Sequence, residues 1–196
     1  MAQDTIPLAL NFELHAIFFS TETHQKVLLD PQVFVQATDV AAGTGPQGIP
    51  HVAGIRPAYL SDSVDTPLLN AQGVGLGFTL GQWRQATGFV VIKVLSQNQY
   101  QITSSFSRLI PGGRYSLFEN HFSATGVTFT PLDGSGTTNS FTASANGNAA
   151  LTVIATQPLT HANAVLLVYH SDQKDHGESR GEPGLNAHHQ LIARVP

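Results

Sequence analysis

Hydrophobic and polar residues alternate from the first patterned stretch of the chain. In residues 8–19, Leu8, Leu10, Phe12, Leu14, Ala16 and Phe18 share one side of an extended chain. Asn11, Glu13 and His15 share the other. Period-two alternation is the mark of a half-buried strand, and the aromatic and β-branched content favours a strand over a helix through 8–29. Residues 27–29 and 33–37 read as two short strands around Asp30-Pro31. Residues 39–78 lose all periodicity, with Gly43, Gly45, Pro46, Gly48, Pro50, Gly54, Pro57 and Pro67 interrupting them. They read as one long irregular insertion, a kind of segment that is usually functional or mobile.

One helix is predicted near 80–86. Thr79 followed by Gln82 is a capping-box pair, Gly88 suits the stop, and Trp83 packs the helix onto the sheets. From residue 88 the chain reads as strands alone: 89–95, 100–106, 115–122, 127–130, 141–145, 149–155, 164–169 and 188–195. Asn146-Gly147 signals a hairpin between 141–145 and 149–155. The unbroken apolar run 164–169 is that of a central strand. Short strands separated by turns predict an all-β fold, an antiparallel β-sandwich of immunoglobulin or jelly-roll type, as one domain over 1–196.

Composition narrows the classes. The 196 residues include 11% charged residues, no Cys and nine His, as many as Lys and Arg together. Ordinary soluble domains are about a quarter charged. Absence of Cys excludes disulfides, zinc ribbons and cysteine nucleophiles. A net charge of −4 without a basic patch argues against nucleic acid. No apolar run is long enough for a membrane-spanning helix. Gly73, Gly75 and Gly77 lack dinucleotide spacing, so no nucleotide cofactor is expected. The low charge suits a secreted or periplasmic protein. Ala2-Gln3-Asp4 reads as a start left by removal of a signal peptide, with Met1 added.

The candidate chemistry is concentrated near the C-terminus. His170, His176, His188 and His189 lie in one stretch with Asp172, Asp175, Glu178 and Glu182. If 164–170 and 188–195 pair, the strand ends bring His170 beside His188 or His189, about 5 Å between opposite Cβ atoms. Neighbours on a strand face opposite ways, so only one of the two shares the face of His170. The intervening loop could fold His176 back onto them. Imidazoles suit copper or zinc, and three ligands with an open position describe a catalytic site. His121 joins this end if 127–130 is a full strand reversing the chain. It lies at the other end if 127–130 is loop. His15 and His24 are weaker candidates. Gly177-Glu178-Ser179-Arg180-Gly181 matches a nucleophile elbow, but Pro183-Gly184 denies it the following helix.

Several segments also carry a resemblance. Residues 77–83, 109–118, 139–143 and 169–172, with His176-Gly177, resemble a group of secreted bacterial and archaeal β-sandwich proteins over about 76–196. The resemblance implies a sandwich and export, and brings no activity. Copper–zinc superoxide dismutase offers another comparison, but its copper site uses a His-x-His pair, absent here.

The sequence thus predicts a secreted metalloprotein with copper or zinc on His170, His176 and His188, and with His121 or His189 as a further ligand. A small-molecule substrate and a homo-oligomer are compatible with it. The rival expectation is a non-enzymatic module that binds carbohydrate, protein or its own copies.

Overall fold

The structure, a computed structural model, describes residues 7–196; the exported-start reading of residues 1–4 lies outside them. The strands are β1 (Leu8–Asn11), β2 (Glu13–Leu14), β3 (Leu29–Gln36), β4 (Gly43–Thr44), β5 (Pro50–His51), β6 (Ile55–Tyr59), β7 (Pro67–Leu69) and β8 (Gly75–Thr79). They continue with β9 (Thr87–Ser96), β10 (Gln99–Ser107), β11 (Arg114–Ser123), β12 (Gly126–Pro131), β13 (Ser140–Thr142), β14 (Ala149–Ala155), β15 (Asn163–His170) and β16 (Ala187–Arg194). The helices are α1 (His15–Glu22) and α2 (Leu80–Arg84).

These elements form an all-β sandwich of antiparallel sheets. The principal sheet has the order β12-β11-β15-β16-β2, with β13 also pairing β11. A second sheet runs β1-β9-β10-β14 and a third β6-β3-β7-β8. β15 is the centre of the principal sheet, and all eight of its residues are buried. Its two faces serve different cores. Val165, Leu167 and Tyr169 join Leu117, Leu191, Ile92, Ile102 and Trp83 between the sheets. Ala164, Leu166 and Val168 join Phe118 and Ile192 on the outer face, under Phe18, Phe122 and Phe129.

Three expectations are corrected. First, the alternation of residues 8–19 stops at Leu14, and His15–Glu22 is helical. The extended pattern would expose one side of 15–22; the helix instead buries His15, Ala16, Phe19 and Ser20. Ser20 fixes it to β3, its Oγ accepting from Leu29 N at 2.9 Å and donating to Leu29 O at 3.1 Å. Tertiary contact therefore overrides the local pattern. Second, residues 39–78 are not a loop. They supply the β4-β5 pair and three of the four strands of the third sheet, β6, β7 and β8, all so short that Gly and Pro fit between and within them. Third, Asn146-Gly147 makes a turn, with Gly147 at φ 70° and its amide on Ser144 O at 2.9 Å. The flanking strands do not pair, because β13 belongs to the principal sheet and β14 to the second.

The predicted helix is present as α2. Gln82 N donates to Thr79 Oγ1 at 3.4 Å, and Thr79 N donates to Gln82 Oε1 at 2.9 Å, which completes the capping box. Trp83 is 1% exposed, and its Nε1 donates to Asp30 Oδ2 at 2.9 Å. Burial raises the Asp30 carboxyl to about 6, against the bonds from Gln32 N and Trp83. No helix among the described residues is long and apolar enough to cross a membrane.

Candidate functional site

The outer face of the principal sheet is covered by α1 and by residues 171–186, which cross between β15 and β16 with almost no regular structure. This segment is tied down at several points. Arg114 on β11 pairs with Asp175 through two nitrogens. Asn70 Nδ2 donates to Leu185 O at 3.2 Å, and Ala71 N to Gly184 O at 2.8 Å. Gly136 touches it so closely that an added Cβ would collide with the Gly177 carbonyl. The adjoining turn is rigid because the Asp133 carboxylate accepts from the amides of Ser135, Gly136, Thr137 and Thr138.

The segment does bring His176 back onto His170, with ring centroids 5.0 Å apart. His170 Nε2 is hydrogen-bonded to Ser116 Oγ, and its Nδ1 is buried without a partner. His176 Nε2 lies 3.2 Å from Asp172 Oδ2. His188 faces the other way. Its Nδ1–H donates to Gln32 O at 2.8 Å, leaving Nε2 as an acceptor 3.1 Å from Ser171 Oγ. His189 opposes Val168 across a register shift and faces α1. His121 sits at the far end of β11, opposite Asn163, whereas Arg114 opposes His170. β12 is a full strand, yet the reversal expected of it fails. β12 and β13 both run antiparallel to β11 along the same edge, so together they reverse the chain once. Among the described residues, no group of three or more His, Asp or Glu side chains is disposed to hold a metal ion.

Ser179 does not stand on a nucleophile elbow. It lies in an exposed turn with its Oγ accepting from Gly181 N at 3.0 Å.

A different constellation lies further along the same outer face. A cavity of about 470 Å³ opens between α1, the β11–β12 hairpin and residues 180–183. Phe18, Phe19, Phe122, Val127 and Phe129 give it an apolar wall. Arg180 lies against it, its guanidinium carbon 3.5 Å from the centre of the Phe129 ring. Arg180 Nη1 donates to His189 Nε2 at 2.6 Å. A guanidinium can only donate, so His189 accepts at Nε2 and carries its proton on Nδ1. That Nδ1–H then faces His15 Nε2 at 3.4 Å, which leaves the His15 proton on Nδ1, buried and without a partner.

Burial keeps these imidazoles neutral. It lowers His15 to about 3, and the Arg180 charge adds to the effect. It drives His189 well below the ordinary histidine value, with His15 and Arg180 reinforcing it. The same cause lowers His170 and His188 to about 4 each. Arg180 itself is lowered by burial to about 10, so it keeps its charge at neutral pH. Gln32 holds both histidines of β16, its carbonyl on the His188 ring and its Oε1 accepting from His189 N at 2.8 Å.

Sequence reasoning missed Arg180 and the four phenylalanines of the cavity, and it ranked His15 only as a weaker candidate. Arg180 appeared only as the variable residue of a glycine motif, and His15 as a polar position on a strand. The one available signal was a single arginine in a segment with four acids and Lys174.

The buried histidines set the pH response. A lowered histidine stabilises the fold above about 6.5, and this contribution is lost as pH falls through the folded value. Asp30 and Glu119, raised by burial to about 6 and about 7, act in the opposite sense over the same range. Four histidines outweigh two carboxyls, leaving a net uptake of about two protons on unfolding at pH 5. The urea midpoint should therefore fall between pH 7 and pH 4.5. A midpoint that holds or rises on acidification would contradict this assignment.

No protein-family model matches the chain, and no curated protein matches it. The site must be read from its own chemistry.

Proposed function

We propose that this protein is a binding module for a small molecule with an apolar body, held in the cavity between α1 and the β11–β12 hairpin. The observation that carries this reading is the cavity itself: about 470 Å³, walled by four phenylalanines and a valine, on a face otherwise covered. Small-molecule sites are typically concave, mostly apolar spaces of a few hundred Å³ with a few polar groups. Here the polar groups include Arg180, His189, His15 and Asn120, with Gln47, Thr23 and Glu22 also in the lining. The reading belongs to the non-enzymatic class and needs no nucleophile or metal. Titration with the uncharged probe 3-phenylpropanamide, followed by backbone amide NMR, tests it. Saturable shifts should cluster on 15–23, 120–129 and 180–189. Val127 lines the mouth and is 45% exposed, so Val127→Trp should close the cavity without disturbing the core and weaken binding at least tenfold. Absence of saturable binding of this amide and of its carboxylate counterpart alike, or shifts unaffected by V127W, would overturn the reading.

We infer a second reading from one specific observation, the partnerless buried Nδ1 of His170 beside His176. Copper or zinc could use these two imidazoles, with the remaining positions filled from outside the chain and Asp172 orienting His176. Untagged protein supplemented with either metal should then retain close to one equivalent, and His170→Ala with His176→Ala should abolish it. Retention below a tenth of an equivalent overturns this reading.

A further inference from the structure

The cavity carries a charge that no protein group answers. Among the described residues, Arg180 has no carboxylate within ion-pairing distance, and its one side-chain hydrogen bond goes to a neutral imidazole. Arg180 is half-buried, and charged groups withdrawn from water are ordinarily paired, because desolvation is costly. Glu178 and Glu182, the acids nearest in sequence, make no ion pair with it among the described residues, and the next nearest are engaged elsewhere. Asp175 is committed to Arg114, and Asp172 to His176. Glu22, at the cavity mouth, lies 3.4 Å from Arg194, whose guanidinium also covers Phe122.

The surroundings hold the guanidinium in place for an external partner. The Phe129 ring centre lies 3.5 Å from its guanidinium carbon and His189 accepts from Nη1, so its remaining N–H groups are left for a ligand. The histidine chain strengthens this arrangement. His189 accepts from Arg180, so it neither neutralises the charge nor competes with an anion for it. A planar fork of donors beside an aromatic wall matches a carboxylate attached to an apolar body.

We propose that the occupant of this cavity is an organic monocarboxylate whose carboxylate pairs with Arg180 while its aromatic or aliphatic body lies among Phe18, Phe19, Phe122 and Phe129. The proposal rests on the reading of the cavity as a small-molecule site and adds the charge class of the ligand.

The test compares two probes of nearly the same shape, 3-phenylpropanoate and 3-phenylpropanamide, by calorimetric or NMR titration of the whole protein at pH 7. The carboxylate should bind at least tenfold more tightly than the amide. Arg180→Met should bring the two to equal affinity. Should R180M fail to fold, the unmodified protein still decides. Raising sodium chloride from 20 to 500 mM should weaken the carboxylate several-fold and leave the amide unchanged, since screening acts on the charge alone. Equal affinity for the two probes, or tighter binding of the amide, overturns the proposal while the cavity reading stands. Binding of neither overturns both.

Discussion

A strand buried on both faces obliges the rest of the chain to cover two surfaces, and β15 imposes that obligation here. The second and third sheets cover its inner face, as in any sandwich. Its outer face would ordinarily meet water. Instead Ala164, Leu166 and Val168 require a second apolar cover, which α1, Phe122, Phe129 and the crossing segment provide. The helix at residues 15–22 is a consequence of this demand. So is the anchoring of an otherwise irregular polar segment by Arg114, Asn70 and Ala71. A segment without secondary structure cannot fill a flat sheet face completely. The space it leaves beside α1 is the cavity.

The same obligation accounts for the buried histidines. Covering the outer face with polar chain places Ser116, Asn120, His170 and His189 out of water. Imidazole suits such positions because it can be neutral, donate at one nitrogen and accept at the other. Gln32 and Ser171 use both nitrogens of His188, and Arg180 and His15 both of His189, while His170 bonds Ser116 through Nε2 alone. Four of the nine histidines thus serve as polar groups that enter a core without carrying charge. Arg180 is the exception, since it cannot shed its proton, and it lies beside the cavity.

How much of this was legible in the sequence depended on whether local contacts decided the outcome. The capping box of Thr79 and Gln82 is closed within four residues, and it could be read. The continuous apolar run of β15 could be read because burial on both faces leaves no alternation. Residues 15–22 misled because the same apolar spacing serves a strand locally, and only the distant β3 and β16 favour the helix. The third sheet was hidden because its strands are three to eight residues long and carry Gly and Pro. The position of His121 could not be settled by counting strands, since β12 and β13 divide one edge of β11 between them. For the site, the return of His176 to His170 was legible from loop length. The meeting of Arg180, His189 and His15 was not, because it joins residues 174 apart in sequence on three elements.

The central claim is that a guanidinium donates to a neutral buried imidazole at the cavity wall. The most direct measurement is the ¹⁵N chemical shift of the two ring nitrogens of His189, followed from pH 7.5 to pH 5.5. The account predicts a protonated Nδ1 and an unprotonated Nε2 across the whole range, with no titration. An imidazolium signal for His189, or a proton resident on Nε2, would contradict it.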